Sequence, residues 1–114
     1  MAKSKIPDAL ERRHLMERQL GSTQALAIGE AYLAEGRSLD AVAFLVKAEA
    51  VSALDALTEE AVQNGDAFLL RNIAETRGIE FDGATWERVA DAASDAGKDL
   101  YAELARTQAQ RCHD

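Results

Sequence analysis

The sequence predicts an all-α fold: antiparallel helix hairpins, about seven helices within 114 residues. Three observations carry this. Alanine recurs along the whole chain, as at Ala25, Ala27, Ala31 and Ala34 and again at Ala90, Ala92, Ala93 and Ala96. It is the strongest helix former because it has no side-chain entropy to lose. Strand-favouring residues are thin, with aromatics at 5%, and the single proline is Pro7,. Finally, Gly21, Gly36, Gly65, Gly78, Gly83 and Gly97 fall where helical patterns pause,. Turns of about two to four residues make successive helices antiparallel neighbours.

The elements follow in order. Pro7-Asp8 opens the first helix, since proline needs no donor there and the carboxylate suits the positive end of the helix dipole,. Leu10, Leu15, Met16 and Leu20 give it a rough apolar face. Ser22 is the expected cap of a second helix that ends at Gly36, and Ser38 of a third carrying Val42, Leu45 and Val46,. From Leu39 to Gln63 there is neither glycine nor proline. We place a break near 50–52, with Ser52 as N-cap and Asp55 three residues on, though one long helix is the alternative. Asp66 caps the next helix, with Leu69, Leu70 and Ile73 following. Ile79-Glu80-Phe81, lying between Gly78 and Gly83, reads as a packed connector and not a strand. Asp82 or Gly83 opens a helix with Trp86, Val89, Ala90 and Ala93 on one face, and Lys98 or Asp99 opens the last.

Two hairpins share a pattern. In the first, Gly29 and Tyr32 precede Gly36, and Ala41 and Ala48 follow it; in the second, Val89, Ala90 and Ala93 precede Gly97, Ala102 and Ala109 follow at the same spacings, and Trp86 takes the large-residue position that Ala25 holds in the first. Small residues at Gly29 and Ala41 let two helices approach, while Tyr32 and Leu45 fill the wider ends. This resembles the tetratricopeptide repeat (TPR). The likeness covers about 22–110 and is good for two hairpins of three. The middle unit, framed on Gly65, fits poorly, and the glycine-to-glycine steps are 29 and 32 residues, against about 34 in the family. A generic helical bundle or a HEAT-type hairpin repeat shares the same pattern. The resemblance implies a short TPR-like α-solenoid over 22–114 behind an N-terminal capping helix over 1–21, as a single compact domain. Stacking is what lets such hairpins bury their faces.

Charge narrows the function. Residues 1–20 carry Lys3, Lys5, Arg12, Arg13 and Arg18 against Asp8, Glu11 and Glu17, so they stand at +2 and the remainder of the −7 chain at −9. An acidic body repels phosphate backbones, so no nucleic-acid partner is expected. The longest apolar run, Ala41 to Val46, is far below a membrane span, and the start lacks a signal-peptide core,. One cysteine, Cys112, allows no internal disulfide, and a cytoplasmic protein is the expectation,. His14, Cys112 and His113 have no ligand spacing, so no metal is expected,. With no nucleophile elbow and no phosphate-cradling loop in the sequence, neither a catalytic site nor a cofactor is expected. Cys112-His113 is expected to fray.

In tetratricopeptide stacks the first helix of each hairpin lines a concave, peptide-receiving surface. The resemblance implies partner-binding residues at Leu26, Glu30 and Leu33, at Asp55 and Glu59, and at Glu87, Asp91 and Asp95. Most are acidic, unlike the Lys, Arg and Asn of the family's carboxylate clamp. The implied function is a non-enzymatic adaptor or chaperone-like module that takes a basic or amphipathic protein segment. The alternative is a small subunit that forms a homodimer, or completes a larger complex, through an apolar helix face. Phe44, Phe68, Phe81, Trp86 and Tyr32 are expected in the core.

Overall fold

A computed structural model describes residues 8–17 and 21–113, and among these the chain is all-α with no strand. The helices are α1 (Ala9–Glu17), α2 (Ser22–Ala34), α3 (Ser38–Lys47), α4 (Val51–Asn64), α5 (Ala67–Arg77), α6 (Gly83–Asp95) and α7 (Asp99–His113). The chain forms two compact units, Met1–Ala53 and Leu54–Asp114, and the division falls within α4.

Five turns end their helices in the same way. One or two residues past the helix the backbone turns left-handed: Gly36, Glu49, Gly65, Gly78 and Gly97 all have positive φ. At each, the next amide donates to a carbonyl five residues back. The donors are Arg37 to Tyr32, Ala50 to Leu45, Asp66 to Ala61, Ile79 to Ala74 and Lys98 to Ala93, at 2.8–3.0 Å. This Schellman arrangement satisfies carbonyls that the helix end leaves open. Four of the five positions are glycine, as the punctuation of the sequence predicts. The fifth is Glu49, and it makes the break inside the glycine-free stretch. The helices on either side end at Lys47 and begin at Val51. Residues 39–63 are therefore two helices, and Ser52 lies inside α4 and not at its cap.

Helix starts are mixed. Asp8, Asp66 and Asp82 accept the amides of Glu11, Leu69 and Thr85 at 2.8, 3.1 and 2.8 Å, which fills the helix's empty first-turn donors. Ser22 and Ser38 do not cap. Gly21 and Arg37 hold those places, without a side-chain bond. Each serine thus sits one residue inside its helix. Pro7 and Leu20 lie outside the described residues, as do the side chains of Leu15 and Met16.

In the first unit α2 packs on α3. Ala25, Tyr32, Ala41, Val42, Phe44 and Leu45 are fully buried between them. Gly29 sets their separation, because a β-carbon there would stand 2.9 Å from Leu45 Cδ2. The Tyr32 and Phe44 rings stack at 5.7 Å. Arg12 of α1 places its guanidinium 5.6 Å from the Phe44 ring and 5.9 Å from Tyr32. Arg37 lies 4.9 Å from the Tyr32 ring and pairs with Asp40 at 3.0 Å. These cations on ring faces hold the outer edge of the hairpin.

In the second unit α6 packs on α7, and α5 touches both. Trp86, Val89, Ala90 and Ala93 of α6 meet an all-alanine face of α7: Ala102, Ala105 and Ala109 are each buried. Leu69, Leu70 and Ile73 of α5 complete this core. The turn from α4 to α5 presses on α6: a β-carbon on Gly65 would overlap the Ala93 backbone. Lys98 Nζ donates to the Asn64 carbonyl at 2.9 Å and fixes the same turn. Tyr32, Phe44 and Trp86 are core residues as expected, and Phe81 is half-buried. Phe68 is 41% exposed. It leaves the core because it stands edge-on to Tyr101 at 4.8 Å, under the guanidinium of Arg71.

Candidate functional site

The residues assigned to partner binding fall on three helices. On α2, Glu30 is exposed and Leu26 and Leu33 are half-buried. This places them on the outer side of the first hairpin, away from Ala25, Ile28 and Tyr32. On α6, Glu87, Asp91 and Asp95 are all exposed. Their four-residue spacing stacks them in one line along the helix, opposite the buried Val89, Ala90 and Ala93. On α4, Asp55 and Glu59 are exposed but engaged. Asp55 pairs with Arg77 at 3.4 Å and Glu59 with Arg88 at 3.1 Å. Gln63 adds a bond of 3.5 Å to Glu59.

In the second unit, then, the acidic surface has two parts. The α4 carboxylates face arginines that offset their charge. The α6 line carries three exposed carboxylates on successive turns of one helix, and Glu87 among them is also engaged. Glu59 reaches α6 through Arg88, so it stands beside the start of that line. The sequence lists these carboxylates alike, because nothing local reveals that Arg77 and Arg88 return across 22 and 29 residues to meet α4.

Asp82 begins α6 and titrates differently from an ordinary aspartate. The Thr85 hydroxyl donates to it at 2.6 Å and the Thr85 amide at 2.8 Å. These two bonds hold its carboxyl below the usual carboxylate range, against an opposing desolvation, with Arg88 adding the least,.

A second feature escaped the sequence. A cleft of about 550 Å³ opens between the C-terminal half of α5, the 78–82 connector and the end of α7. Ala74, Ile79, Phe81 and Trp86 give it an apolar floor, and Arg71, Glu75, Glu80, Gln108 and Arg111 stand around it. Cys112 closes one end by donating its S–H to the Phe81 carbonyl at 3.4 Å. Helix α7 runs through His113, so the tail is helical at the place where fraying was expected. The usable signal lay in the connector: an aliphatic and an aromatic residue bracketed by glycines, in a chain with few aromatics. The cleft holds none of the sequence-assigned partner residues.

Among the described residues no group of three or more His, Cys, Asp and Glu side chains is placed to hold a metal ion. No described helix is long and apolar enough to cross a membrane. No protein-family model matches the chain, and no curated protein or solved structure matches it either.

Proposed function

We propose that this protein is a non-enzymatic, cytoplasmic binding module. It acts as an adaptor or chaperone-like protein built on TPR-like hairpins, and it takes a basic or amphipathic protein segment on an acidic helix face. The observation that carries this reading is the exposed line Glu87, Asp91 and Asp95 along α6. Such a line raises the encounter rate with a basic segment and rejects anionic ones. The hairpin reading is supported by the shared turns at Gly36 and Gly97 and by the small buried residues Gly29, Ala41, Ala90 and Ala102.

The test uses a labelled amphipathic peptide of alternating lysine and leucine turns as the probe. Reversing Glu87 and Asp91 to lysine is expected to weaken capture about tenfold or more, with a smaller loss in high salt. Unchanged capture after both reversals overturns the reading.

A second reading has an observation of its own. Leu100 is 74% exposed and precedes the half-buried Tyr101, whose ring meets the exposed Phe68. A second copy or a larger complex would cover such a patch. Light scattering separates the two: a dimer that survives the α6 reversals and disappears on Leu100→Asp favours self-association.

A further inference from the structure

The cleft in the second unit has a chemistry distinct from that of the acidic α6 line. Its volume of about 550 Å³ lies within the range of small-molecule sites. The floor is apolar: Ile79 is 39% exposed, Phe81 is half-buried, and Trp86 lies beneath them. Phe81 and Trp86 meet edge to face at 6.4 Å, so the floor is a packed surface and not a set of loose side chains. The rim carries both signs of charge. Arg111 stands on the α7 wall beside Gln108, and Glu75 and Glu80 stand on the α5 and connector side. Arg71 is already committed, to Glu75 at 4.0 Å and to the face of Phe68 at 5.3 Å. Arg111 and Glu80 have no ion pair among the described residues.

These charges select the ligand. A neutral apolar molecule would cover Arg111 and Glu80 and strip their water without replacing it, which is costly. A simple anion would meet Glu75 and Glu80, and a simple cation would meet Arg71 and Arg111. A molecule with an apolar body and one group of each sign avoids all three penalties. We propose that the cleft is a binding site for a small zwitterionic amphiphile. Its apolar body lies on Ile79, Phe81 and Trp86, its anionic group faces Arg111 and Gln108, and its cationic group faces Glu80. This site stands independently of peptide capture on α6.

The chain supplies its own reporters, because it has one tryptophan and one cysteine and both line this cleft. The probes are phenylalanine, 3-phenylpropionate, phenethylamine and 3-phenylpropanamide, which share a ring and differ in charge. Trp86 fluorescence and the rate of Cys112 alkylation by iodoacetamide are read for each. Phenylalanine is expected to bind about tenfold more tightly than either singly charged analogue, and the neutral amide least well. Arg111→Gln is expected to erase the advantage of phenylalanine over phenethylamine, and Glu80→Gln its advantage over 3-phenylpropionate. Both residues are exposed, so unchanged melting temperatures are expected and show that folding is intact. Equal binding of the neutral amide or of a singly charged analogue overturns the proposal. So does a zwitterion preference that survives both variants, or the absence of any effect on both reporters.

Discussion

The two hairpins α2–α3 and α6–α7 turn in the same way and close differently. Each ends its first helix on a left-handed glycine, Gly36 or Gly97, with matching backbone bonds. In the first hairpin one glycine, Gly29, receives Leu45, and a stacked aromatic pair fills the wider end. In the second, three alanines of α7 make the entire buried seam, and Trp86 is the large residue. An alanine seam brings backbones together but removes little apolar surface from water. The second unit therefore draws on a third helix, α5, for Leu69, Leu70 and Ile73. The same turn chemistry thus serves a pair wedged apart by an aromatic stack and a pair built on an alanine seam with a third helix against it.

The strongest test of this difference is at two glycines that look alike in sequence. A side chain at Gly65 would strike the backbone of Ala93 and would also occupy a left-handed conformation. Neither obstacle can be relieved by a rotamer change. Gly65→Ala is expected to destabilise the protein by about 3 kcal/mol or more, the sum of conformational and overpacking costs, measured by urea unfolding. At Gly29 the obstacle is only the far end of Leu45, a side chain that can move, although it is fully buried. Alanine also gains about 1 kcal/mol of helix propensity there. A net loss of about 1 kcal/mol is expected for Gly29→Ala. Equal losses at the two sites would erase the distinction between a backbone contact and a side-chain contact.

A smaller effect of opposite sign is expected at Glu49. It holds the left-handed position that glycine holds at the other four turns. Glu49→Gly relieves that strain and is expected to stabilise the first unit by about 0.5–1 kcal/mol, seen as a higher melting temperature. The smallest effect concerns pH. Asp82 has a lowered folded-state pKa through its bonds to Thr85. Its contribution is full above the unfolded carboxylate range and is lost as pH falls through the folded value. Asp82→Asn keeps an acceptor but removes the titration. Melting curves of the two proteins should differ at neutral pH and converge in acid. A constant gap would count against the linkage.

Much of the fold was legible because its signals are local. Alanine content, the glycines at 36, 65, 78 and 97, and the carboxylate caps at Asp66 and Asp82 all act within one turn of chain. The break at Glu49 was placed to within a few residues, but its mechanism was hidden. A non-glycine residue in a left-handed cap leaves no mark in the sequence, and Ser52 drew the cap to the wrong position. The binding surfaces were less legible. The α6 line follows from helical spacing alone, whereas the pairing of Asp55 and Glu59 depends on arginines in other helices. The cleft depends on α5, the connector and α7 meeting in space.

The repeated turns also bear on the speed at which the chain folds. Each hairpin closes across three residues, so the entropy of closing its loop is small and its contacts are near in sequence. Chains of this kind fold in microseconds to milliseconds. The approach of Gly65 to Ala93 is of another kind, because it joins α4's end to the last turn of α6 across an intervening helix. It is the sort of contact that forms after the hairpins and breaks with them still intact. A substitution there is expected to accelerate unfolding and leave the folding rate nearly unchanged.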